Sequence, residues 1–496
     1  MDDPYDVLIV GGGMGGLNLA ALLVTAGKRV LVLERGQREA LGGRAASGRL
    51  SGAAVDNGIK GLIMMGAQDE IHRRIGKPLP DNVCEWTNPG KIFVDGAWQD
   101  LNELIMRNVG DFIEVYKSSA QELTYEQIDD LNDISIEQFV RERTGNRELI
   151  DFFDYLGWLF GGTLPTASDY SAGALFYSIK AQIDATGQMP SMSFWVRNGS
   201  GSIATGLIEA IEEGGGEIRT GATVSHIVIE NGRAVGVDVE VGDRVVPTQL
   251  LDTERIEADV VVSAVAIWDV FNILSEDDLS PWFADRLRHL HRKTLNVATL
   301  TYGIADADVD WDDSGQRWVQ QGPYSGKPWC ASSLRFDDDP SRNEISFWMQ
   351  LGWWEKPNLH DIREASHKVA LRRLFEHFEK DVAFFWPELA DKTAWKIRSF
   401  GPATIIETPG NVGDKLIDVQ AEGVEGLYLV GERTREAKVM GVYGSAQTAL
   451  AASDRILGEL RARQPVRPGQ PHRPEGRQPL GSHAFERGVR DPAGHH

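Results

Sequence analysis

Cysteine and long hydrophobic runs are nearly absent from this sequence. Its 496 residues contain only Cys84 and Cys330, in no spacing typical of a metal site or a redox pair, so we expect free thiols in a reducing compartment. No apolar stretch approaches the ~20 residues that a membrane-spanning helix needs. The N-terminus, MDDPYDVLIV, lacks the basic region of a secretion signal. These features predict a cytoplasmic protein with no transmembrane segment and no bound metal.

Basic residues are also few: 51 Lys and Arg stand against 73 Asp and Glu, a formal charge of −22. Such a charge disfavours nucleic acid as a partner and disfavours electrostatic docking on anionic lipid, although it leaves peripheral membrane contact open. The apolar fraction of 42% and the charged fraction of 25% are ordinary for a globular protein. The length leaves room for two or more domains.

Glycine, by contrast, is concentrated near the N-terminus, within residues 7–34. The apolar run Val7–Val10 precedes the loop Gly11–Gly16, an apolar helical pattern covers 17–26, and a second apolar run over 30–33 ends at Glu34. This order predicts a strand, a tight turn, a helix and a strand, the arrangement that binds a dinucleotide.

Three glycines of that loop have a physical role in such a site. Gly11 permits the sharp exit from the strand, Gly13 lets the backbone approach a pyrophosphate, and Gly16 lets the helix lie against the sheet. The phosphates would lie at the positive helix N-terminus, beside Met14 and Gly15. Glu34 is placed to bind a ribose hydroxyl, and its charge would repel a 2′-phosphate.

Further segments have the patterns expected of strands and helices in the same nucleotide-binding domain. Residues 201–213 have helical periodicity, and Asn231-Gly232 between two apolar runs is a strong hairpin signal. Residues 259–264 and 426–431 are apolar runs typical of buried strands, and a small-residue helical pattern follows at 445–457. The sequence therefore predicts an α/β nucleotide-binding domain assembled from separate parts of the chain.

Two intervening stretches differ in character. Residues 76–195 are predicted to be mostly helical, and residues 276–414 to mix strands with a long amphipathic helix over about 361–380. The second stretch contains nine of the fourteen tryptophans, which favours an apolar cavity. We predict a discontinuous cofactor domain (1–75, 196–275 and 415–460), a substrate domain (76–195 and 276–414), and a disordered tail (461–496).

A second dinucleotide site is not predicted. The segment from Gly199 to Gly206 has the wrong glycine spacing, and no apolar strand comparable to Val7–Val10 precedes it.

Short motifs then point to a family. They are Leu41–Ala45 (LGGRA), Val55–Gly58 (VDNG), the block 203–237, Leu429–Glu432 (LVGE) and Gly441–Ala446 (GVYGSA). Together with the glycine loop, they resemble the phytoene desaturase-like branch of the flavin-dependent amine oxidase and carotenoid desaturase superfamily. The resemblance implies an FAD-binding Rossmann-like domain of the glutathione reductase type, interleaved with an α+β substrate domain.

The same resemblance implies the cofactor contacts. Arg44 would contact FAD near its pyrophosphate, Asp56 and Gly58 would pass beside the cofactor, Val224 would touch the adenine, and Glu432 would face the ribityl chain. The helix beginning near Gly441 would direct its positive N-terminus at the flavin, where reduction places negative charge. The residues expected to bind FAD are Gly11, Gly13, Met14, Gly15, Gly16, Glu34, Arg35, Gly43, Arg44, Asp56, Gly58, Val224, Gly431, Glu432, Gly441, Val442 and Ser445.

Amine oxidases of this superfamily carry an aromatic residue shortly before the last glycine motif, as half of a cage around the amine. That position falls on Gly441 here, and the stretch fits the desaturase pattern better, with Met440 replacing a proline. The resemblance thus implies an oxidoreductase that removes hydride from a C–H bond of a largely apolar small molecule, with oxygen or a quinone as electron acceptor. Amine oxidation is the runner-up.

Two alternatives of other kinds remain open. One is an isomerase or hydratase that uses bound FAD without net redox chemistry on a lipid-like substrate. The other is a prenyl-binding escort protein on the same fold that has lost flavin, against which the intact glycine loop and Arg44 argue.

The sequence contains no cluster of nucleophilic or metal-binding residues, and hydride transfer to flavin needs neither. Lys60 follows the VDNG loop, and Tyr443 precedes the last helix, so both could face the flavin. A second set in the first inserted stretch could line the cavity: Asp154, Tyr155 and Trp158. His226 and His367 are interpreted as ordinary strand and helix residues.

Overall fold

The computed structural model describes most of the chain. It covers residues 4–50, 53–58, 65–85, 90–116, 120–153, 170–186, 194–197, 199–243, 245–246, 249–304, 316–334, 343–351 and 365–463. The proposed disordered tail falls almost entirely outside these ranges, and so do Lys60, Asp154, Tyr155 and Trp158.

The described strands form two large sheets and two small hairpin-like pairs. The strands are β1 (Tyr5–Val10), β2 (Val30–Glu34), β3 (Ser47–Leu50), β4 (Ala53–Asp56), β5 (Val83–Glu85), β6 (Lys91–Val94), β7 (Ala97–Asp100), β8 (Phe194–Val196), β9 (Glu217–Thr220), β10 (Val224–Glu230), β11 (Arg233–Val241), β12 (Asp252–Ser263), β13 (Thr294–Ile304), β14 (Arg317–Val319), β15 (Trp329–Leu334), β16 (Glu344–Leu351), β17 (Thr393–Ile405) and β18 (Leu427–Leu429).

The helices pack on the faces of these sheets. The α-helices are α1 (Met14–Thr25), α2 (Gly66–Ile75), α3 (Leu101–Arg107), α4 (Val109–Tyr116), α5 (Tyr125–Asp129), α6 (Ile136–Arg141), α7 (Ala172–Thr186), α8 (Thr205–Glu213), α9 (Pro281–Arg292), α10 (Ala365–Phe385), α11 (Leu389–Lys392) and α12 (Gly441–Arg463). Short 3₁₀ turns occupy Arg38–Ala40, Gly43–Ala45, Ser200–Ala204, Ile267–Asn272, Glu276–Asp278 and Gly413–Lys415.

The first sheet has the order β10-β11-β12-β1-β2-β9, with β18 beside β12. Strands β12, β1, β2 and β9 run parallel, as buried apolar strands with helical crossovers do. Helix α1 connects β1 to β2 and packs against α12, α8 and α2. The strand–turn–helix–strand prediction for residues 7–34 is confirmed.

The hairpin prediction at Asn231-Gly232 is also confirmed. Strands β10 and β11 pair antiparallel, and both turn residues have positive φ (53° and 76°), as a type I′ turn requires. The helix predicted from residue 445 begins four residues earlier, because Gly441 is already the first residue of α12.

The second sheet has the order β17-β13-β16-β15-β14-β6-β7. Helix α10 covers one face, where Phe375, Phe378 and Trp386 pack with Trp329 and Phe347. The opposite face meets the inserted helices α3–α7 and, at one end, the cofactor layer. Helices α3–α7 agree with the mostly helical interpretation of residues 76–195, but that interpretation missed the hairpin of β6 and β7, which completes this sheet around the Asp95-Gly96 turn.

Candidate active site

The glycine loop shows why this segment needs its glycines. Gly11 has φ +109°, which L side chains rarely adopt. A Cβ on Gly16 would collide with the carbonyl oxygen of Gly11, so Gly16 allows α1 to lie close to β1. A Cβ on Gly13, in contrast, would meet no described atom within 4 Å. The Gly13 backbone therefore borders open space at the start of α1.

Glu34 ends β2 directly beside this loop. Its carboxylate accepts hydrogen bonds from the backbone N–H of Gly12 (2.8 Å) and of Gly36 (2.7 Å). Charge-assisted bonds of this kind fix both the turn after β1 and the turn after β2. Glu34 also lines the open space that Gly13 borders.

That space is a cavity of about 1020 Å³, above the usual range for small-molecule sites. It lies at the carboxyl ends of the parallel strands, where open α/β sheets bind ligands. The structure brings most of the predicted residues to its wall: Gly11, Gly13, Met14, Gly15, Glu34, Arg35, Gly43, Arg44, Gly58, Val224, Gly431, Glu432, Gly441, Val442, Tyr443 and Ser445.

Two predicted cofactor residues do not line this wall. Gly16 is used for packing α1 on β1, as described above. Asp56 turns toward the 3₁₀ turn at 200–204, where it accepts hydrogen bonds from Ser47 Oγ (2.6 Å) and the Ser200 N–H (2.7 Å). Gly16 and Asp56 therefore support the cavity wall without lining it.

The first turn of α12 forms another part of the wall. Gly431 (φ +155°) and Gly441 (φ +76°) each leave open space where a side chain would stand, with no described atom within 4 Å of an added Cβ. The N-termini of α1 and α12 therefore both border the cavity. Two positive helix ends suit a ligand that places an anionic pyrophosphate at one of them and a redox-active ring at the other.

Arg44 and Glu432 form an ion pair on the cavity wall. Arg44 Nη1 lies 2.7 Å from Glu432 Oε1 and also donates to the Ala403 carbonyl, while the guanidinium stands 5.2 Å from the Trp268 ring centroid. The second Glu432 oxygen accepts the Gly441 N–H at 2.8 Å. Burial raises the pKa of Glu432, but Arg44, Arg433 and these hydrogen bonds outweigh burial and hold the pKa below its ordinary range.

A second ion pair was not predicted from the sequence. Arg433 Nη1 lies 2.8 Å from Glu407 Oε1, Nη2 donates to Thr404 Oγ1 (3.0 Å), and both charged side chains are only 3% exposed. The Tyr170 hydroxyl donates to the other Glu407 oxygen at 3.3 Å. Arg433 directly follows the LVGE motif, and this position was the one sequence signal that it could belong to the site. No local pattern indicates Glu407 as its partner.

Buried polar atoms along this wall also fit a polar ligand. Ser263 Oγ, Arg433 Nε and Thr434 Oγ1 have no hydrogen-bond partner among the described residues, and all three residues line the cavity. Unsatisfied buried donors and acceptors cost free energy unless a ligand or water pairs with them. The residues present therefore fit FAD, with Gly13, Arg44, Glu432 and the start of α12 in position to hold it.

Tyr443, a predicted catalytic candidate, lies in the first turn of α12. Its ring edge (Cε2) is 3.9 Å from the point where a Cβ on Gly66 would stand, so Tyr443 packs between α12 and α2 while reaching the cavity. Burial raises the pKa of Tyr443 above its usual value of 10.0. At neutral pH the phenol is protonated, and it can donate a hydrogen bond but cannot act as a base.

The second sheet supplies the wall opposite the cofactor loops, and this wall was not predicted residue by residue. Leu295, Val297 and Thr299 alternate along β13 and point to the cavity, and Trp348 and Gln350 of β16 join them. The period-2 spacing in β13 is the signal that could have identified them. Among the predicted tryptophans, Trp348 lines the cavity and Trp329 packs in the core.

His226, interpreted as an ordinary strand residue, is not among the described cavity-lining residues, and the other histidine of that interpretation, His367, belongs to α10. His226 lies on β10, with ring nitrogens 3.7 Å from Asp238 and 3.9 Å from Asp278. Within the described ranges, no group of three or more His, Cys, Asp or Glu side chains is arranged to hold a metal ion.

A Rossmann-like sheet with a glycine loop, a Glu-ended second strand and a closing helix over one large cavity defines a flavin-dependent oxidoreductase. The chain belongs to the flavin containing amine oxidoreductase family, whose sequence model matches residues 14–457. It is an enzyme, and its cofactor is FAD.

Among similar proteins are a human all-trans-retinol 13,14-reductase, 25% identical over 319 residues (55% of this chain and 49% of that protein), and a chloroplastic prolycopene isomerase from Daucus carota, 27% identical over 127 residues (26% and 19%). The chain spans about half the length of the retinol reductases it matches. An oxidoreductase from Methanosarcina mazei shares the fold, with a TM-score of 0.64, 18% identity, and coverage of 90% of this chain and 99% of that one.

None of the helices in the described ranges combines the length and the apolar character needed to cross a bilayer.

Proposed function

We propose that this enzyme transfers a hydride between FAD and a carbon atom of a small, largely apolar molecule, as a desaturase or dehydrogenase does. The observation that carries the proposal is the continuity of the cavity, whose wall includes both the glycine loop and Leu295, Val297 and Trp348 of the second sheet. A substrate against that sheet would share one continuous cavity with the cofactor. Bound FAD supplies the redox chemistry, and the protein supplies position and electrostatics.

The residues at the site have separate tasks in this proposal. The backbone at Gly13 and Gly15 would bind the pyrophosphate, and Arg44, held by Glu432, would add a cation beside it. Glu34 would bind the adenosine ribose. The N-terminus of α12, at Gly441 and Val442, would stabilise negative charge on the ring system, with Tyr443 as a hydrogen-bond donor at its edge.

The names of two relatives support a substrate of this kind, since they refer to all-trans-retinol and to prolycopene. The same names are compatible with three reactions that experiment must distinguish. Two are redox reactions of opposite direction, reduction and desaturation, and the third is isomerisation, which involves no net redox change. Amine oxidation is supported by the family description. The position of the amine-oxidase aromatic cage is Gly441, whose missing side chain leaves open space in the structure.

Three further assignments belong to the same proposal. The sheet memberships support a discontinuous cofactor domain over 1–75, 196–275 and 415–460, with a substrate domain inserted twice. Cys84 and Cys330 are free thiols, which supports a reducing, cytoplasmic setting. Oxygen or a quinone would reoxidise the cofactor.

Anaerobic mixing of the FAD-loaded protein with isoprenoids, acyl lipids, cyclic ketones and amines tests the reaction. Loss of the visible flavin absorbance on mixing with an apolar compound, followed by its return with oxygen or a quinone, is the expected result. Turnover without loss of absorbance would instead establish the isomerase or hydratase reaction. Bleaching by amines alone would establish amine oxidation and overturn the proposal.

A further inference from the structure

The two faces of the second sheet differ in polarity. Because side chains alternate along a strand, each strand presents one set of residues to α10 and the other set to the cavity side. The face toward α10 is largely apolar: it includes Leu300, Phe347 and Ala331, and by register the buried Arg317 lies among them. The face toward the cavity and the inserted helices carries hydroxyl, amide and carboxyl groups between its apolar residues.

A row of buried polar side chains crosses this second face. Thr301 pairs with Ser346, which pairs with Ser332 on the next strand. Thr301 Oγ1 and Ser346 Oγ are 3.1 Å apart, and Ser346 Oγ donates to Glu344 Oε1 at 3.3 Å. These four residues are at most 3% exposed. A hydrogen-bonded polar row is therefore built into the sheet beside the cavity.

At the cavity the same face places polar and apolar groups side by side. Val297 is opposite Gln350, and Thr299 is opposite Trp348 in the β13–β16 register. Gln316, just before β14, lines the cavity two strands away from β16, with its Oε1 3.8 Å from Cys330 Sγ and its backbone carbonyl bound by the Lys91 N–H at 2.9 Å. Both glutamines are buried.

Charged side chains, unlike the neutral polar ones, line the cavity only on the side of the first sheet, among the described residues. The charged residues among the described lining residues all belong to the loops and strands of the first sheet: Glu34, Arg35, Arg44, Glu240, Asp269, Glu432 and Arg433. In the described part of the second sheet's wall, the polar groups are amides and hydroxyls. An amide or hydroxyl recognises a neutral hydrogen-bonding group, whereas a distal ammonium would need a carboxylate to replace its hydration.

We propose that Thr299 and Gln350, diagonal neighbours on β13 and β16, form a polar subsite in the substrate cavity, so that the substrate is an amphipathic, uncharged molecule. Leu295, Val297 and Trp348 contact its apolar body, and the subsite binds a carbonyl, hydroxyl or comparable neutral oxygen function. This inference rests on the proposed function for the location of the substrate. It replaces a pure hydrocarbon by a narrower class, apolar molecules that carry one neutral oxygen function.

Three probes of nearly identical ring shape test the subsite: tetralin (apolar), 1-tetralone (neutral carbonyl) and 1-aminotetralin (an ammonium at neutral pH). Each is titrated anaerobically into the FAD-loaded protein, and binding is followed by isothermal titration calorimetry together with the flavin spectrum. We expect 1-tetralone to bind about tenfold more tightly than tetralin, the gain of one net hydrogen bond. We expect 1-aminotetralin to bind more weakly than 1-tetralone.

The variant Gln350→Leu should bring 1-tetralone binding close to that of tetralin, without weakening tetralin itself. Gln138→Leu is the matched control, because it makes the same change on the exposed face of α6. Thr299→Val, which conserves shape, provides the test if Gln350→Leu loses flavin. A smaller preference for 1-tetralone in that variant would support the subsite.

Equal binding of tetralin and 1-tetralone to the natural protein would overturn the subsite, and so would strongest binding of 1-aminotetralin. The two proposals fail separately in this design. A carbonyl preference that depends on Gln350, with no bleaching by any compound, would keep the subsite and refute the redox reaction. Bleaching with no carbonyl preference would support the redox reaction and refute the subsite.

Discussion

Arg44 and Glu432 are separated by 388 positions in the sequence, yet Arg44 Nη1 and Glu432 Oε1 lie 2.7 Å apart. The pair joins the loop after β2 to the loop before α12, the two segments that border the cavity from opposite ends of the chain. Glu432 is 5% exposed, and its other oxygen holds the first N–H of α12. One carboxylate therefore fixes both a cofactor-facing cation and the start of the closing helix.

Gly13→Val should abolish FAD retention while leaving the fold intact. The backbone at Gly13 is extended (φ −74°, ψ 176°), which valine adopts readily, and the added Cβ would meet no described protein atom. It would meet the pyrophosphate. The measurement is the flavin-to-protein absorbance ratio after purification, with circular dichroism to verify folding. Gly458→Val, at an exposed position of α12, is the matched control. A fully yellow Gly13→Val protein would contradict the loop assignment.

Arg44→Ala should weaken FAD binding by about 1.5–3 kcal/mol, the usual contribution of a charge-assisted hydrogen bond, or about tenfold to a hundredfold in Kd. The measurement is a titration of the apoprotein with FAD, followed by flavin fluorescence. Arg49→Ala removes an exposed arginine from the neighbouring strand β3 and should leave the Kd unchanged. Equal losses in both variants would show only a general charge effect.

Acid should remove the stabilising contribution of Glu432. Its pKa in the folded protein lies below the ordinary value of 4.5, so the ionised carboxylate stabilises the fold above that pH, and the contribution is lost as the pH falls through the folded pKa. The unfolding free energy of the natural protein and of Glu432→Gln, both saturated with FAD, should therefore converge below about pH 4.5. A difference that stays constant from neutral pH into this acid range would refute the assignment.

Tyr443→Phe should retain FAD and slow anaerobic bleaching by about tenfold or less, because a phenol with a raised pKa acts as a hydrogen-bond donor and not as a base. General acid–base catalysts typically contribute about 10²–10⁴ in rate. Stopped-flow absorbance across the pH range is the measurement. A loss of that larger size, together with a changed pH profile, would make Tyr443 a proton carrier.

Breaking the Arg433–Glu407 pair should destabilise the protein strongly. Arg433→Met leaves the buried Glu407, whose pKa burial already raises, without its cation partner, and breaking such a pair costs about 3–5 kcal/mol in comparable cases. The double variant Arg433→Met/Glu407→Gln should recover part of that loss, as urea unfolding would show. The matched surface control is Arg107→Met. Its partner Glu148 lies at 2.7 Å, but both side chains are more than 40% exposed, so the loss should be under about 1 kcal/mol.

The mostly helical prediction for residues 76–195 was incomplete. Helices α3–α7 were expected, and the structure has them. Strands β6 and β7 were missed, although Asp95-Gly96 between them is a local hairpin signal with positive φ at both residues. Pairing of β6 with β14, more than 200 positions later, places this hairpin in the second sheet, and no local pattern indicates that pairing.

The sequence by itself determined the cofactor end of the molecule. The apolar runs, the glycine loop, Glu34 and the Asn231-Gly232 turn act over short distances, through steric limits on backbone angles and through the periodicity of one strand or helix. Only the tertiary structure decided which groups meet across the cavity: Arg44 with Glu432, Arg433 with Glu407, and the amides of Gln316 and Gln350 on one wall. Those encounters depend on the order and register of distant strands, which hydrophobic burial selects for the whole chain at once and which no local segment encodes.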